Sequence, residues 1–305
     1  MLPFPSKWRN EVIGGVTTFL TASYIIVVNP SILATEGTGM SFSGVMTATV
    51  ILCFFCTLLM GLYAKLPFVV APGMGINAFF TYQLVLGKQI PWPIALGIVF
   101  WAGIIFLIIS ATPIREKIAA AFPLNLRTAT ACGIGLFLAF IGLKNAKLVV
   151  AHPTTFLTSA PLGHEAALTL VGFLILLLFF RRNNPFAFIA SIATVTLLST
   201  WWGATSIPQS PVSFPDFSST FFKLDIWGAL EIAFVPAILT FVFIDLFDSI
   251  STFVGVSHAT GLVTQTGEPR NLREGLIVDA VATAGAGLVG SSSGTAYIES
   301  SAGIQ

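Results

Sequence analysis

Charge is scarce in this sequence. Asp, Glu, Lys and Arg make up 9% of its 305 residues, against about 25% in soluble domains. With 55% hydrophobic residues and a mean hydropathy of +0.90, there is no room for a large soluble domain. Lys+Arg 14 and Asp+Glu 13 nearly cancel, leaving +1, so no basic surface for nucleic acid is expected. Cysteine is also sparse. Cys53 and Cys56 match the C-x-x-C spacing, but they sit in an apolar run without the βαβ context of a redox motif. They are read, with Cys132, as small packing residues, and no disulfide is expected. His152, His164 and His258 are scattered and give no metal-ligand spacing. There is no Walker motif through which this chain would use ATP, and no cofactor is expected. The first residues, MLPFPSKWRNEV, lack the apolar core and small-residue cleavage site of a secretory signal peptide. What is present is long apolar runs, which predict an integral membrane protein of many helices.

Taken in order, predicted spans cover Val12–Leu33, Val45–Ala64, Pro93–Ala111, Leu126–Gly142, Ala166–Phe180, Phe186–Trp202, Pro236–Val256 and Leu276–Val289. Two further segments are apolar but broken. LPFVVAPGMGINAFFTYQLV is interrupted by Pro72, Gly73 and Gly75; GSSSGTAYIESSAGIQ closes the chain. The alternation T-A-Y-I-E in the latter predicts a short strand with Thr295, Tyr297 and Glu299 on one side. Irregular backbone at membrane depth is tolerated only when buried in protein or facing a cavity. Transporters use such breaks to aim half-helix termini at a substrate near the midplane. The broken segments are the third and tenth, seven crossings apart, which suggests an inverted repeat of seven helices each.

With the N-terminus in the cytoplasm, Lys7, Arg9, Lys65, Arg115, Lys117, Arg127, Arg181, Arg182, Arg270 and Arg273 fall inside. Lys88, Lys144, Lys147 and Lys223 fall outside. That asymmetry fits the positive-inside rule for a multi-pass protein of the cytoplasmic membrane.

The most informative span is PAILTFVFIDLFDSISTFVGV, which carries Asp245 and Asp248 near its middle. A carboxylate at the centre of a membrane helix costs roughly 2.5–3.5 kcal/mol even on lenient insertion scales. Residues three apart share a helix face, so both acids are expected to point into one interior space. They are candidates to exchange a proton, although two such acids can also simply cap or cross-link helices. Asn77 follows a glycine-rich break, where an Asn also serves as an N-cap. Phe79, Phe80, Phe243 and Phe247 offer aromatic faces, though any single Phe in such a chain is more often packing.

EVIGGVTTFLTASYIIVVNPSIL, MGLYAKLPFVVAPGMGINAFFTY, IREKIAAAFPLNLRTATACGIGLFLAFIGLKNA, FIDLFDS and TAYIESSAG together resemble the adenine/guanine/hypoxanthine permeases. These are the AzgA-like branch of the nucleobase transporters sharing the uracil-permease fold, and the likeness runs along nearly the whole chain. It implies an all-α polytopic membrane protein with 7+7 inverted repeats, short strands in the third and tenth segments, and core and gate domains. Residues 1–305 would form one incomplete transporter domain: core helices in 12–115 and 226–305, gate helices in 124–202, and an external loop at 203–225. Ten of the fourteen implied segments would be present, so the sequence is expected to be a fragment of a longer product. A homodimer is among the assemblies that related folds adopt.

The resemblance implies proton-coupled uptake of purine bases, with protons and the bilayer as the other partners and no nucleic acid. No catalytic residue is implied. Asn77 and Gly75 match the GMGxN motif, Asp245 and Asp248 the DLFD motif, and Glu299 the TxYxES element. Asn77, Gly75, Asp245, Glu299 and Phe79 are then the substrate-binding candidates, with Asp248 and Asp279 supporting or coupling. The chemistry agrees, because a carboxylate accepts parallel N–H bonds from a base edge and an amide offers both a donor and an acceptor. Rival readings are a uracil- or xanthine-type permease, a fold-sharing anion transporter, and a membrane-embedded enzyme using the Asp245/Asp248 pair.

Overall fold

The computed structural model describes residues 6–112, 124–182, 184, 186–203, 214–265 and 267–304. Arg115, Lys117, Gln305 and the loop prolines Pro208 and Pro211 lie outside the described residues. The chain divides into two units, Met1–Ala131 with Pro215–Gln305, and Cys132–Phe214.

The first unit opens with α1 (Ser6–Ala22) and α2 (Ile25–Leu33). The sequence predicts one span here, and Arg9–Leu33 is one stretch of membrane length, within which the helical ladder breaks at Ser23–Tyr24. The hydroxyls of Thr21 and Ser23 donate to the carbonyls of Thr18 and Leu20, competing with the helical ladder just before the break. Helix α3 (Phe42–Leu59) starts on Ser41, whose side chain accepts from Gly44 N. A π turn (Met60–Ala64) follows, ending at Lys65 in the left-handed region. Strand β1 (Val70–Pro72) then leads into α4 (Met74–Ala78), which continues as a π-helix to Gly87. Helix α5 spans Trp92–Ala111, with Pro93 in its first turn, where a missing N–H does no harm.

The second unit, described by itself, holds α6 (Leu124–Asn145) from Cys132 onward, a hairpin of β2 (Val149–His152) and β3 (Phe156–Ser159), α7 (His164–Phe180) and α8 (Ala187–Trp201). The hairpin was not foreseen from the sequence. Its residues VVAH and FLTS flank a Pro-Thr-Thr turn, which is its only local signal. Helices α7 and α8 meet at Gly172, whose carbonyl accepts from Ser191 Oγ at 2.7 Å.

Back in the first unit, α9 (Val235–Thr260) is stopped by Gly261 at a φ of 73°. Helix α10 (Leu272–Val289) begins one turn earlier than its apolar pattern predicts and ends at Gly290. Strand β4 (Gly294–Ala296), a 3-10 turn (Ile298–Ser300) and α11 (Ser301–Ile304) complete the described chain. Helices α5 and α10 approach closely through small residues. A Cβ on Gly103 would lie 2.3 Å from Ala284 N, and one on Gly287 would lie 2.8 Å from Leu96 O. In a bilayer, such close packing replaces the hydrophobic drive that water supplies to soluble folds. Two apolar clusters flank this pair, one around Leu33, Phe80, Leu96 and Phe241, the other around Met60, Phe68, Phe106 and Phe253.

Among the described residues, four helical stretches are long and apolar enough to cross a membrane: Arg9–Leu33, Phe42–Ala64, Trp92–Ala111 and Ile232–Thr260.

Candidate functional site

Strands β1 and β4 pair antiparallel, with Val70 opposite Ala296, Ala71 opposite Thr295 and Pro72 opposite Gly294. The pairing extends outward at both ends. Gly73 N donates to Ser293 O at 2.9 Å, and Tyr297 N donates to Val69 O at 3.0 Å. The approach at Gly73 is tight, since a Cβ there would lie 3.2 Å from Thr295 Oγ1 and the threonine would have to give way. The Tyr297 hydroxyl donates to Pro72 O, tying the strands a second time. Pro72 lacks an N–H, and its place at the end of a three-residue strand leaves no ladder donor missing.

Around this crossing lies a ring of buried polar groups. Asn77, in α4, is fully buried; its Nδ2 donates to Asn29 Oδ1 at 2.5 Å, and its Oδ1 accepts from Ser292 Oγ. Asn29, on α2, donates in turn to Thr49 Oγ1 at 2.7 Å and to Ser291 Oγ at 3.0 Å. The next serine, Ser293, lies 2.8 Å from Thr283 Oγ1, which donates to Asp245 Oδ2 at 2.5 Å. Consecutive serines thus link Asn77 to Asp245. Asp279 Oδ2 accepts from Ala296 N at 3.1 Å, so it takes a strand amide that the β1–β4 ladder does not use. Among the described residues, Asp245 Oδ1 and Asp279 Oδ1 are buried with no hydrogen-bond partner.

The remaining acids are more accessible. Asp248 is half-buried beside the Thr295 hydroxyl and within electrostatic reach of Glu299. Glu299 is also half-buried, and its Oε1 accepts from the Tyr24 hydroxyl at 2.7 Å. The two acids of D-L-F-D therefore meet different surroundings, one closed in by Thr283 and one open toward Glu299.

The sequence predicts Thr295, Tyr297 and Glu299 on one side of a strand, and the structure corrects this. Strand β4 ends at Ala296, the backbone stays extended through Tyr297, and Glu299 sits in the 3-10 turn. The cause is Ser300, whose Oγ accepts from Val69 N at 3.0 Å, so that no strand carbonyl is needed there and the chain can turn. Gly75 lies in the first turn of α4. Phe79 is half-buried with its ring edge-on to Phe241 at 5.3 Å, on the apolar cluster. Phe243 and Phe247 stack on each other at 6.3 Å.

Tyr24, Asn29, Thr49, Thr283 and Ser291–Ser293 were not foreseen as site residues. Asn29 carries the clearest signal, an amide within the apolar run IIVVNPSIL. The three serines were seen only as part of an irregular segment.

Comparisons with known proteins agree with one another. The model of the Permease family (Xan_ur_permease) matches residues 9–305. The chain is 36% identical to the adenine permease AdeP of Escherichia coli (strain K12) over 297 residues, covering 97% of this chain and 66% of that protein. It is 36% identical to the guanine/hypoxanthine permease PbuO of Bacillus subtilis (strain 168) over 303 residues, covering 97% and 69%. The chain thus spans about two thirds of the length of these relatives. Among solved structures, the transmembrane domain of the cyanobacterial bicarbonate transporter BicA matches with a TM-score of 0.63 at 14% identity, covering 99% of this chain and 78% of that one. That likeness is one of fold.

Proposed function

The chain belongs to the Permease family, whose curated relatives are nucleobase transporters and not enzymes, and on that premise we propose that its complete protein takes up purine bases with protons by alternating access. The observation that carries the reading is the β1–β4 crossing, where two amides and four carboxylates converge beside two apolar clusters. A purine is a flat, nearly neutral ring edged with N–H donors and nitrogen or carbonyl acceptors. Carboxylates supply acceptors for those N–H groups, and ionised acceptors make the stronger bonds.

In this reading Glu299 and Asp248 grip the base, since they are the half-buried acids of the crossing. Asp245, Gly75 and Asn77 complete or support the binding site, and Phe79 contributes an aromatic wall through its contact with Phe241. Asp245 and Asp279 each keep one buried oxygen without a hydrogen-bond partner, and they are the acids this reading assigns to proton coupling. All of these residues lie in the first unit, which supports assigning it the core role, and the second unit, which holds residues 124–202 from Cys132 onward, the gate role of a 7+7 repeat. The excess of basic residues on one side supports a cytoplasmic N-terminus. A homodimer is the assembly to look for.

The test is uptake of radiolabelled hypoxanthine by the complete gene product in cells lacking their own purine permeases. Unlabelled adenine, guanine, xanthine and uracil serve as competitors, with and without a protonophore. Protonophore-sensitive uptake competed by the first two bases is expected. Competition by xanthine or uracil alone would move the protein to a sister specificity. Uptake that is indifferent to the protonophore would remove proton coupling.

A further inference from the structure

The amide of Asn77 is held in one of its two orientations by a chain of hydrogen bonds that begins at a helix carbonyl. In α3, Thr49 Oγ1 donates its single proton to Val45 O, 2.7 Å away. With that proton committed, Thr49 can only accept, so the Asn29 atom facing it must be the amide nitrogen. Asn29 Oδ1 is thereby turned to Asn77, which must answer with its own nitrogen. Asn77 Oδ1 then faces the opposite way, toward Ser292 Oγ. Asn29, Thr49, Asn77 and Ser292 are each 0% exposed, so water offers none of them another partner. Rotating either amide by half a turn would set oxygen against oxygen or nitrogen against nitrogen.

We infer that Asn29 is a positioning residue: through this relay it fixes the polarity of Asn77, and so which hydrogen-bonding pattern the crossing offers to a base. The inference rests on the purine reading above. With the relay intact, the N–H and the lone pair that Asn77 does not spend on Asn29 and Ser292 keep a fixed arrangement, and a base meets them in the conformation of the transport cycle that opens the crossing. Purines that carry an oxygen at position 6 accept there, whereas those that carry an amino group donate. A fixed amide distinguishes the two classes, and a freely rotating one presents either pattern. Asn29 therefore acts on selectivity and not only on affinity.

Three substitutions separate this from a purely structural role. Asn29→Leu removes the relay. Thr49→Val keeps the shape but removes the partner that can only accept, since Ser291, the other partner of that nitrogen, has a hydroxyl that can donate as well as accept. Asn29→Asp, protonated in its buried site, places a hydroxyl toward Thr49 and a carbonyl toward Asn77, preserving the polarity. In the complete protein, the adenine-to-hypoxanthine ratio of half-inhibitory concentrations is measured against labelled hypoxanthine uptake. The ratio is expected to move toward one by about tenfold in Asn29→Leu and Thr49→Val, the scale of one hydrogen bond lost, and to stay near wild type in Asn29→Asp. An unchanged ratio in Thr49→Val, or in a folded Asn29→Leu whose affinities fall uniformly, overturns the inference. A double-mutant cycle of Asn29→Leu and Asn77→Leu on thermal unfolding in detergent tests the relay without any substrate, and additive effects would overturn it. If the wild-type protein takes up no base while that cycle shows coupling, the purine reading fails, the relay stands as structure, and its role in selectivity is withdrawn.

Discussion

The Tyr24 hydroxyl donates a 2.7 Å hydrogen bond to Glu299 Oε1 across 275 residues of sequence. The break between α1 and α2 lets Tyr24 support a half-buried acid of the crossing from within the first span. A bond to a charged group contributes about 1.5–3 kcal/mol. Tyr24→Phe is therefore expected to raise the KM for purine uptake by about tenfold or more, with unchanged expression and melting behaviour within a few degrees. Transport kinetics on membranes of matched content check this, and an unaltered KM would show that Glu299 holds its position alone.

Asp245 is almost fully enclosed, with Thr283 as its donor. Asp245→Asn keeps the shape but can no longer exchange a proton. Accumulation of purine against a gradient is expected to be lost, while the protein still reaches the membrane. Accumulation in vesicles with an imposed pH gradient is the measurement, and persistence of proton-driven uptake would release Asp245 from coupling.

The α5–α10 contact depends on Gly103 having no side chain, because any Cβ would collide with the backbone of Ala284. Backbone does not move aside as a flexible side chain does. Gly103→Val is expected to destabilise the protein by at least about 1–3 kcal/mol, the usual cost of overpacking. Gly61→Ala, with nothing within 4 Å of the added carbon, is expected to leave stability close to wild type. Thermal unfolding in one detergent compares the two, and equal loss in both would refute the close-packed contact.

Asp216 lies in the loop before α9, where its carboxylate accepts from the hydroxyls of Ser219, Ser43 and Ser218 and from the amide of Ser219. The Ser219 and Ser43 bonds above all hold its acidity well below the ordinary carboxylate range. An unfolded chain rebinds this proton near pH 4, and the folded loop rebinds it only at lower pH. The stabilisation is therefore complete above about pH 5 and declines as pH falls below about 4. Protease cleavage near Phe217 is expected to accelerate between pH 5 and pH 3 in the wild type and to be insensitive to pH in Asp216→Asn. Parallel profiles for the two proteins would remove Asp216 as the loop's clamp.

Particular residues explain what could be read in advance. Carboxylates inside apolar runs stand out because their burial is costly, which is why Asp245 and Asp248 were legible, whereas Asp279 was pointed to by the resemblance alone. Pro72 and Gly73 mark a break by backbone rules alone. Hydroxyls and amides are different, since a Thr or Ser in a helix commonly satisfies itself on a carbonyl one turn back, as Thr47 does on Ser43. Thr49 follows that habit and also accepts from Asn29, a second contact that only tertiary structure reveals. The placement of Glu299 was misread for a related reason. Alternation predicts a strand, but the side chain of Ser300 replaces a ladder carbonyl and allows the turn.

The β1–β4 pair also has a consequence for biogenesis. Tyr297 grips Pro72 across 225 residues, so the crossing cannot close until almost everything between them has been synthesised and inserted. Contacts so distant in sequence form late. Until then, β1 stands at membrane depth with an open edge, and Asn77 lacks its serine donor. Bare backbone groups are not tolerated in lipid, so the early helices must shelter that half-built edge, and Thr57, which bonds both the amide and the carbonyl of Val70 from α3, is already in place to do so.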